Sequence, residues 1–216
     1  MNIAVDGPSG SGKSTVSKAL AINLNLAYLD TGAMYRAVTA WLLGDSTSLD
    51  SNWQNMLTKK VNLNINPDAA AFTILIDEHD VTEEIRSQRV TDTVSLVAAE
   101  ADVRDWMVQL QREIMNTSKG IVMEGRDIGT VVMPDAEVKI FVTADLTKRA
   151  ERRAKEMAQQ SDFTQQSLSS RDEKDSNRII SPLLKAADAV DLDTTFLSIE
   201  ESIEAALTIV KRKSNV

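Results

Sequence analysis

The residues best suited to do chemistry sit together in VDGPSGSGKST, residues 5–15, where Gly7, Gly10 and Gly12 lead into Lys13, Ser14 and Thr15. GPSGSGKS satisfies G-x-x-x-x-G-K-[ST], the spacing of a phosphate-binding loop. Glycines allow a tight loop whose backbone N–H groups point inward, and the helix that follows adds its positive N-terminal end. Gly7, Pro8, Ser9, Gly10, Ser11 and Gly12 would then cradle a polyphosphate, with Lys13, Ser14 and Thr15 opening the helix. Lys13 can reach the β- and γ-phosphates, and Ser14 can offer its hydroxyl oxygen to Mg²⁺. The loop is expected to bind a nucleoside triphosphate together with Mg²⁺.

The loop does not name an acceptor. No Asn-Lys-x-Asp guanine reader occurs, and 216 residues are few for a motor or a transport ATPase. A stand-alone phosphotransferase fits better, and it must hold a second anion in line with the γ-phosphate. Four groups could do so. Thr31 and Arg36 lie in LDTGAMYR, residues 29–36, a hydroxyl and a guanidinium about a helical turn apart. Arg126 and Asp127 lie between two glycines in EGRDIGT, residues 124–130. Arg forks suit phosphate oxygens. Arg171, Asp175 and Arg178 fall at i, i+4 and i+7, one face of a helix; on residues alone this set reads first as a solvated salt-bridge face. Lys148, Arg149, Arg152 and Arg153 follow a strand ending at Asp145, a natural place for a lid over the transferring phosphate.

These groups need a scaffold that brings them to one rim. Ile3–Val5, Leu26–Leu29, GIVMEGRD (120–127), VKIFVTAD (138–145) and AVDLD (189–193) read as short buried strands. Helices are expected over Lys13–Asn25, from Gly32 to Leu43, over 83–117 with Trp106, Leu110 and Ile114 in line, and over 147–159 and 165–179. SIEE, residues 198–201, is a capping box opening a helix with Ile199, Ile203, Leu207 and Val210 on one side. VNLNI and FTILID, around Asn66-Pro67-Asp68, read as an inserted antiparallel hairpin. The alternation implies an α/β fold, a parallel sheet flanked by helices on both faces. Ligands in such sheets bind beyond the carboxyl ends of the strands, where Asp6, Asp30, Glu124–Asp127 and Asp145 fall.

Composition narrows the rest. With 43% hydrophobic and 26% charged residues the chain reads as an ordinary globular domain, and with no cysteine it has neither disulfides nor thiolate metal sites. A net charge of −8 argues against a nucleic-acid footprint. No apolar run has the length of a membrane span and no signal peptide is visible, so a cytoplasmic location is expected. His79, among Asp77, Glu78 and Asp80, reads as a surface turn.

Taken in order, GPSGSGKST, LDTGAMYR, EIRSQRVTDTVSLVAAEADVR, EGRDIGTVVMPDA, RDEKDSNRIISPL and AADAVDLDTT resemble the bacterial cytidylate kinases from residue 2 to about 210. The resemblance implies a P-loop NTPase fold with a core of about 1–30, 118–146 and 186–216, a monophosphate-binding region of about 31–117 carrying an insert near 61–90, and a helical lid of about 147–180. It implies that Thr31, Arg36 and Arg126 contact the nucleoside monophosphate and that Ser95, Arg104 and Asp127 read cytosine. Arg171, Asp175 and Arg178 would contact sugar and base, which reverses the bare-residue reading. Lys13 and Arg126 would act on the transferring phosphate, with Arg149 and Arg153 as the lid candidates. Glu124 stands where some relatives have Asp, and Thr31 where some have Ser. The expected substrates are CMP and dCMP and the expected state a monomer. A kinase for another monophosphate or a shikimate-type acceptor, and a non-enzymatic ATP-binding module, remain as alternatives.

Overall fold

The protein is described by a computed structural model covering residues 1–44, 46, 48–51, 53–57, 61–157 and 161–214. The first apolar run forms β1 (Asn2–Asp6), and the glycine loop leads from it into α1 (Lys13–Leu24). Asn25 ends α1 in the left-handed conformation at φ 52°, and Leu26 N–H closes back on Ala21 O at 2.9 Å. β2 (Ala27–Asp30) runs straight into α2 (Thr31–Leu43), because Asp30 caps it by accepting from Ala33 N–H at 3.0 Å.

Between α2 and the next sheet strand lie a short helix α3 (Trp53–Met56), the strands β3 (Leu63–Asn66), β4 (Thr73–Ile76) and β5 (His79–Asp80), and the helices α4 (Gln88–Val97) and α5 (Ala101–Thr117). The chain then returns as β6 (Ile121–Gly125) and β7 (Val138–Thr143). α6 (Leu146–Met157) and α7 (Ser161–Ser176) pack against each other, and β8 (Val190–Asp193) and α8 (Ile199–Ser214) complete the chain.

The main sheet has the order β2-β6-β1-β7-β8, every pair parallel. Strand side chains alternate between its faces. Ile3, Val5, Tyr28, Val122 and Ile140 pack toward α1 and α8, whereas Ala4, Leu29, Ile121 and Met123 pack toward α2 and α5. This is the expected α/β sheet with helices on both faces, and it puts the ends of β1, β2 and β6 side by side. The inserted hairpin is present as the antiparallel sheet β3-β4-β5.

Several expectations need correction. The helical stretch 83–117 is broken into a 3₁₀ turn (Glu84–Arg86), α4 and α5, with Ala98–Glu100 between the helices. Trp106, Leu110 and Ile114 only flank the core; Val103 and Met107 are the fully buried pair on α5. α7 stops at Ser176, so Arg178 lies beyond the helix. Residues 158 and 159 of the expected helix 147–159 fall outside the described residues. Ile199 is exposed rather than packed, with Ala206 and Val210 carrying the contact. His79 belongs to β5, pairing with Ile76, and its side chain is exposed. The capping box holds: Ser198 N–H donates to Glu201 Oε2 at 2.7 Å, and Glu201 N–H donates to Ser198 Oγ at 3.1 Å.

Removing half of that reciprocal cap should cost little but measurably. Ser198→Ala is expected to lower stability by about 1 kcal/mol in urea denaturation with an unchanged slope.

Candidate active site

The glycine loop takes backbone conformations that glycine alone adopts readily. Gly7, Gly10 and Gly12 have φ of 146°, 75° and 89°. A Cβ on Gly7 would lie 2.0 Å from the Val142 carbonyl oxygen, so only glycine lets the loop leave β1 against β7. The loop is braced from outside: Ser11 O accepts from Thr194 Oγ1 at 2.9 Å and Ser9 O accepts from Arg149 Nη1 at 3.0 Å. Lys13 Nζ donates to Pro8 O at 2.7 Å from a buried position. Ser14 and Thr15 stand exposed at the start of α1.

Glu124, the penultimate residue of β6, ties this loop to its neighbours. Its Oε2 accepts from Ser14 Oγ at 2.9 Å, its Oε1 accepts from the Tyr28 hydroxyl, and its backbone oxygen accepts from Thr31 Oγ1 at 2.7 Å. Burial, then the nearby Asp30, raises the Glu124 pKa; burial, then Arg126, lowers that of Lys13. Because Ser14 donates its proton to Glu124, its oxygen lone pairs are left for another ligand. Ser14 Oγ with the adjoining carboxylate is an all-oxygen donor set of the kind Mg²⁺ takes alongside phosphate oxygens.

Asp6, at the end of β1, is the other buried acid. Its two oxygens accept from Ile128 N–H at 2.8 Å and Gly129 N–H at 2.7 Å. Burial nevertheless pushes its carboxyl up to about 6, against those two bonds. Asp145, by contrast, is exposed and accepts from Thr147 N–H at 2.8 Å at the start of α6.

Four arginines from different elements converge beside the loop. Arg36 on α2 donates to Thr91 Oγ1 at 2.9 Å and Ile85 O at 3.3 Å, and Arg171 on α7 donates to Thr91 O at 3.0 Å. Burial, then Arg171, then smaller charges including Arg153 and Arg126, bring Arg36 down to about 10. Burial, then Arg126, lowers Arg171 as well. Arg126 opposes the trend: burial disfavours its charge, but Asp175 at 2.8 Å from Nε outweighs that and raises its pKa. Asp175 also holds Arg178 at 3.3 Å, although Arg178 is not on the helix. Arg153 lies within the field of Arg36 and Arg171, while Arg149 reaches Asp172 and Ser9 O, and Arg152 reaches Thr194. Lys148 pairs with Glu151 on the surface. So much like charge from four elements is an anion trap.

Next to Arg126 in the chain, Asp127 belongs to a second buried polar group. Arg104 on α5 donates to Asp127 and, at 3.0 Å, to Ala98 O; both members of the pair are almost fully buried. The Arg104 guanidinium lies 5.3 Å from the centre of the Tyr35 ring. Arg104 Nε is buried without a hydrogen-bond partner, and Gln111 is buried beside Tyr35. Ser95 is half-buried on α4. Tyr28, Tyr35, Thr91 and Gln111 were not singled out from the sequence. Gln111 carried a signal, standing seven residues after Arg104 on the same helical face.

The raised Asp6 pKa has a testable sign. The folded chain keeps this proton up to about 6, whereas an unfolded chain releases it near 3.8, so the stability Asp6 contributes falls as pH rises through that window. In thermal unfolding, the advantage of the unaltered chain over Asp6→Asn should shrink between those two pH values and then stay level.

Comparison with known proteins agrees with this geometry. The family model described as cytidylate kinase matches residues 3–212. A cytidylate kinase of Carboxydothermus hydrogenoformans is 48% identical over 223 residues, covering 100% of both chains. One of Enterococcus faecalis is 46% identical over 220 residues, covering 99% of this chain and 96% of its own. Among solved structures, shikimate kinase from Bacteroides thetaiotaomicron superposes with a TM-score of 0.51 at 12% identity, covering 100% of this chain and 99% of that one, which is a likeness of fold. The glycine loop, the arginine trap and these full-length likenesses together make the chain a member of the cytidylate kinase family.

Proposed function

We propose that the chain transfers the γ-phosphate of MgATP to CMP or dCMP, giving ADP and CDP or dCDP. The observation that carries this reading is the buried Arg104–Asp127 pair standing next to the arginine trap. It offers a base pocket and an anion site within one nucleotide. Cytosine presents an amino donor and an N3 acceptor; Asp127 can accept from the first while an arginine donates to the second. Uracil reverses that pattern and would leave buried polar groups unpaired.

An oxygen of the CMP phosphate attacks the γ-phosphorus, and the bond to the ADP oxygen breaks; no covalent enzyme intermediate is required. The glycine-loop amides and Lys13 hold the triphosphate. Thr31, Arg36 and Arg126 hold the acceptor phosphate, with Arg153 placed to cover the transferring group and Arg149 bracing the loop. Ser14, with Glu124 behind it, would hold Mg²⁺, which would supply positive charge to offset that of the phosphates. Residues 31–117 form the monophosphate-binding region, with the hairpin as its insert, and α6–α7 with the turn to Arg178 act as the lid that excludes water. Arg171, Asp175 and Arg178 would meet sugar and base once Asp175 exchanges its arginine partners for the ligand, and Ser95 would join the base pocket. No described helix is long and apolar enough to cross a membrane. A monomer in the cytoplasm, acting on small nucleotides and not on nucleic acid, completes the reading.

The test is ADP release from MgATP with CMP, dCMP, UMP, AMP, GMP and shikimate as separate acceptors. Turnover mainly with CMP and dCMP is expected; turnover with another acceptor removes the base assignment, and ATP binding without turnover favours a binding module. Asp127→Asn, which keeps shape and avoids stranding Arg104 beside a void, should lower kcat/KM for CMP about 100-fold or more while KM for ATP stays within about twofold. Lys13→Ala should lower kcat about 100-fold or more with the circular dichroism spectrum unchanged.

A further inference from the structure

Glu124 is held by more than the loop it serves. Tyr28 is fully buried on β2, and its hydroxyl donates to the Glu124 oxygen that Ser14 does not use. The ring is held on two further sides. Phe72, just ahead of β4, meets it edge-on, with centroids 5.5 Å apart and planes at 74°; Lys18 Nζ of α1 lies 5.6 Å from its centre. The backbone is fastened too, because Tyr28 N–H, on the open edge of the sheet, donates to Pro67 O at 2.7 Å. The β3–β4 hairpin therefore grips β2 at the residue whose phenol aims at the loop.

We propose that Tyr28 is a positioning residue that fixes the Glu124 carboxylate against Ser14, and that the β3–β4 hairpin, through Phe72 and Pro67, keeps Tyr28 in place to do so. A glutamate side chain turns about several bonds, its terminal torsion broadly, so a single hydrogen bond leaves it free to swing. The phenol removes that freedom. With Glu124 fixed, Ser14 must donate to it, and the Ser14 lone pairs stay pointed at the metal side of the loop. Burial, then Glu124 and Asp30, raise the Tyr28 pKa, so the phenol remains a donor at any working pH. A tyrosine kept for packing alone would not need its hydroxyl against this carboxylate, where phenylalanine fills the same space.

The inference rests on the kinase reading for its consequence in turnover, and is tested apart from it by metal affinity. Mn²⁺ is titrated into the protein with β,γ-methylene-ATP, free Mn²⁺ being read by electron paramagnetic resonance. Tyr28→Phe should weaken Mn²⁺ binding about tenfold and lower kcat by a similar factor, with KM for CMP within about twofold. In a Glu124→Gln background the same change should add nothing. Phe72→Ala should weaken Mn²⁺ binding in the same direction by a smaller factor. Tyr28→Phe with unaltered Mn²⁺ affinity and a lowered melting temperature makes Tyr28 a packing residue and overturns the proposal. An equal loss in the Glu124→Gln background overturns the route through Glu124, and Phe72→Ala that changes only the melting temperature overturns the hairpin's part. The unaltered chain gives an independent reading, since it has only two tyrosines. The ¹³Cζ resonance of Tyr28 should move when Mg²⁺ joins the protein–ATP complex, and a stationary resonance also overturns the proposal. If CMP is no substrate yet Mn²⁺ affinity responds to Tyr28→Phe, the acceptor assignment falls and the positioning role stands.

Discussion

A buried carboxylate at the end of β6 is the constraint on which the site is assembled. Glu124 sits level with Val5 of β1 and Asp30 of β2 in the parallel register, so its backbone is fixed by both neighbouring strands. Its carboxylate and carbonyl then gather Ser14 of α1, Tyr28 of β2 and Thr31 of α2. Hydrogen bonds to a charged acceptor contribute about 1.5–3 kcal/mol each. The two from Ser14 and Tyr28 offset part of the cost of burying that charge, and with the Thr31 bond to the carbonyl they bring the loop, the edge strand and the second helix into one geometry. A mobile acid at this place would leave three elements without a common reference.

The second feature is a separation of charge. The chain carries −8 overall, yet Arg36, Arg126, Arg153 and Arg171 gather in one region, where burial and neighbouring arginines lower the proton affinity of Arg36 and Arg171 while Asp175 sustains Arg126. Asp175 and Asp172 hold Arg126, Arg178 and Arg149 in their present places. Such pairs keep costly buried cations from standing alone, and they are exchangeable. A phosphate group supplies more acceptor oxygens and more charge than one carboxylate, so binding an anion among these arginines is favoured without any need to create the site anew.

How elements are fastened decides which residues can act together. Thr91 is one such joint, its hydroxyl taking Arg36 from α2 and its carbonyl taking Arg171 from α7. Thr194 is another, meeting Ser11 of the glycine loop and Arg152 of α6. The hairpin that grips β2 is a third. The first two are small polar residues whose partners come from two different segments.

The amino-acid sequence by itself determined the glycine loop, the five strands of the main sheet, the capping box and the arginines near strand ends. These depend on residues close together along the chain: positive φ at Gly7, Gly10 and Gly12, apolar runs of strand length, and Ser198 reaching Glu201. The main motifs also resembled one family over nearly the full chain, which allowed Ser95, Arg104 and Asp127 to be named before any contact was known. Only the tertiary structure decided that α7 ends before Arg178, which meets Asp175 from a turn instead of a shared helical face. Only it joined Tyr28 to Glu124 across 96 residues and Ser14 to Glu124 across 110. Tyr28 reads locally as one more apolar residue in a strand, and Gln111 as one more polar residue in a helix. Their roles come from partners whose proximity is set by sheet register and helix packing, and no local pattern encodes which distant side chain will stand opposite.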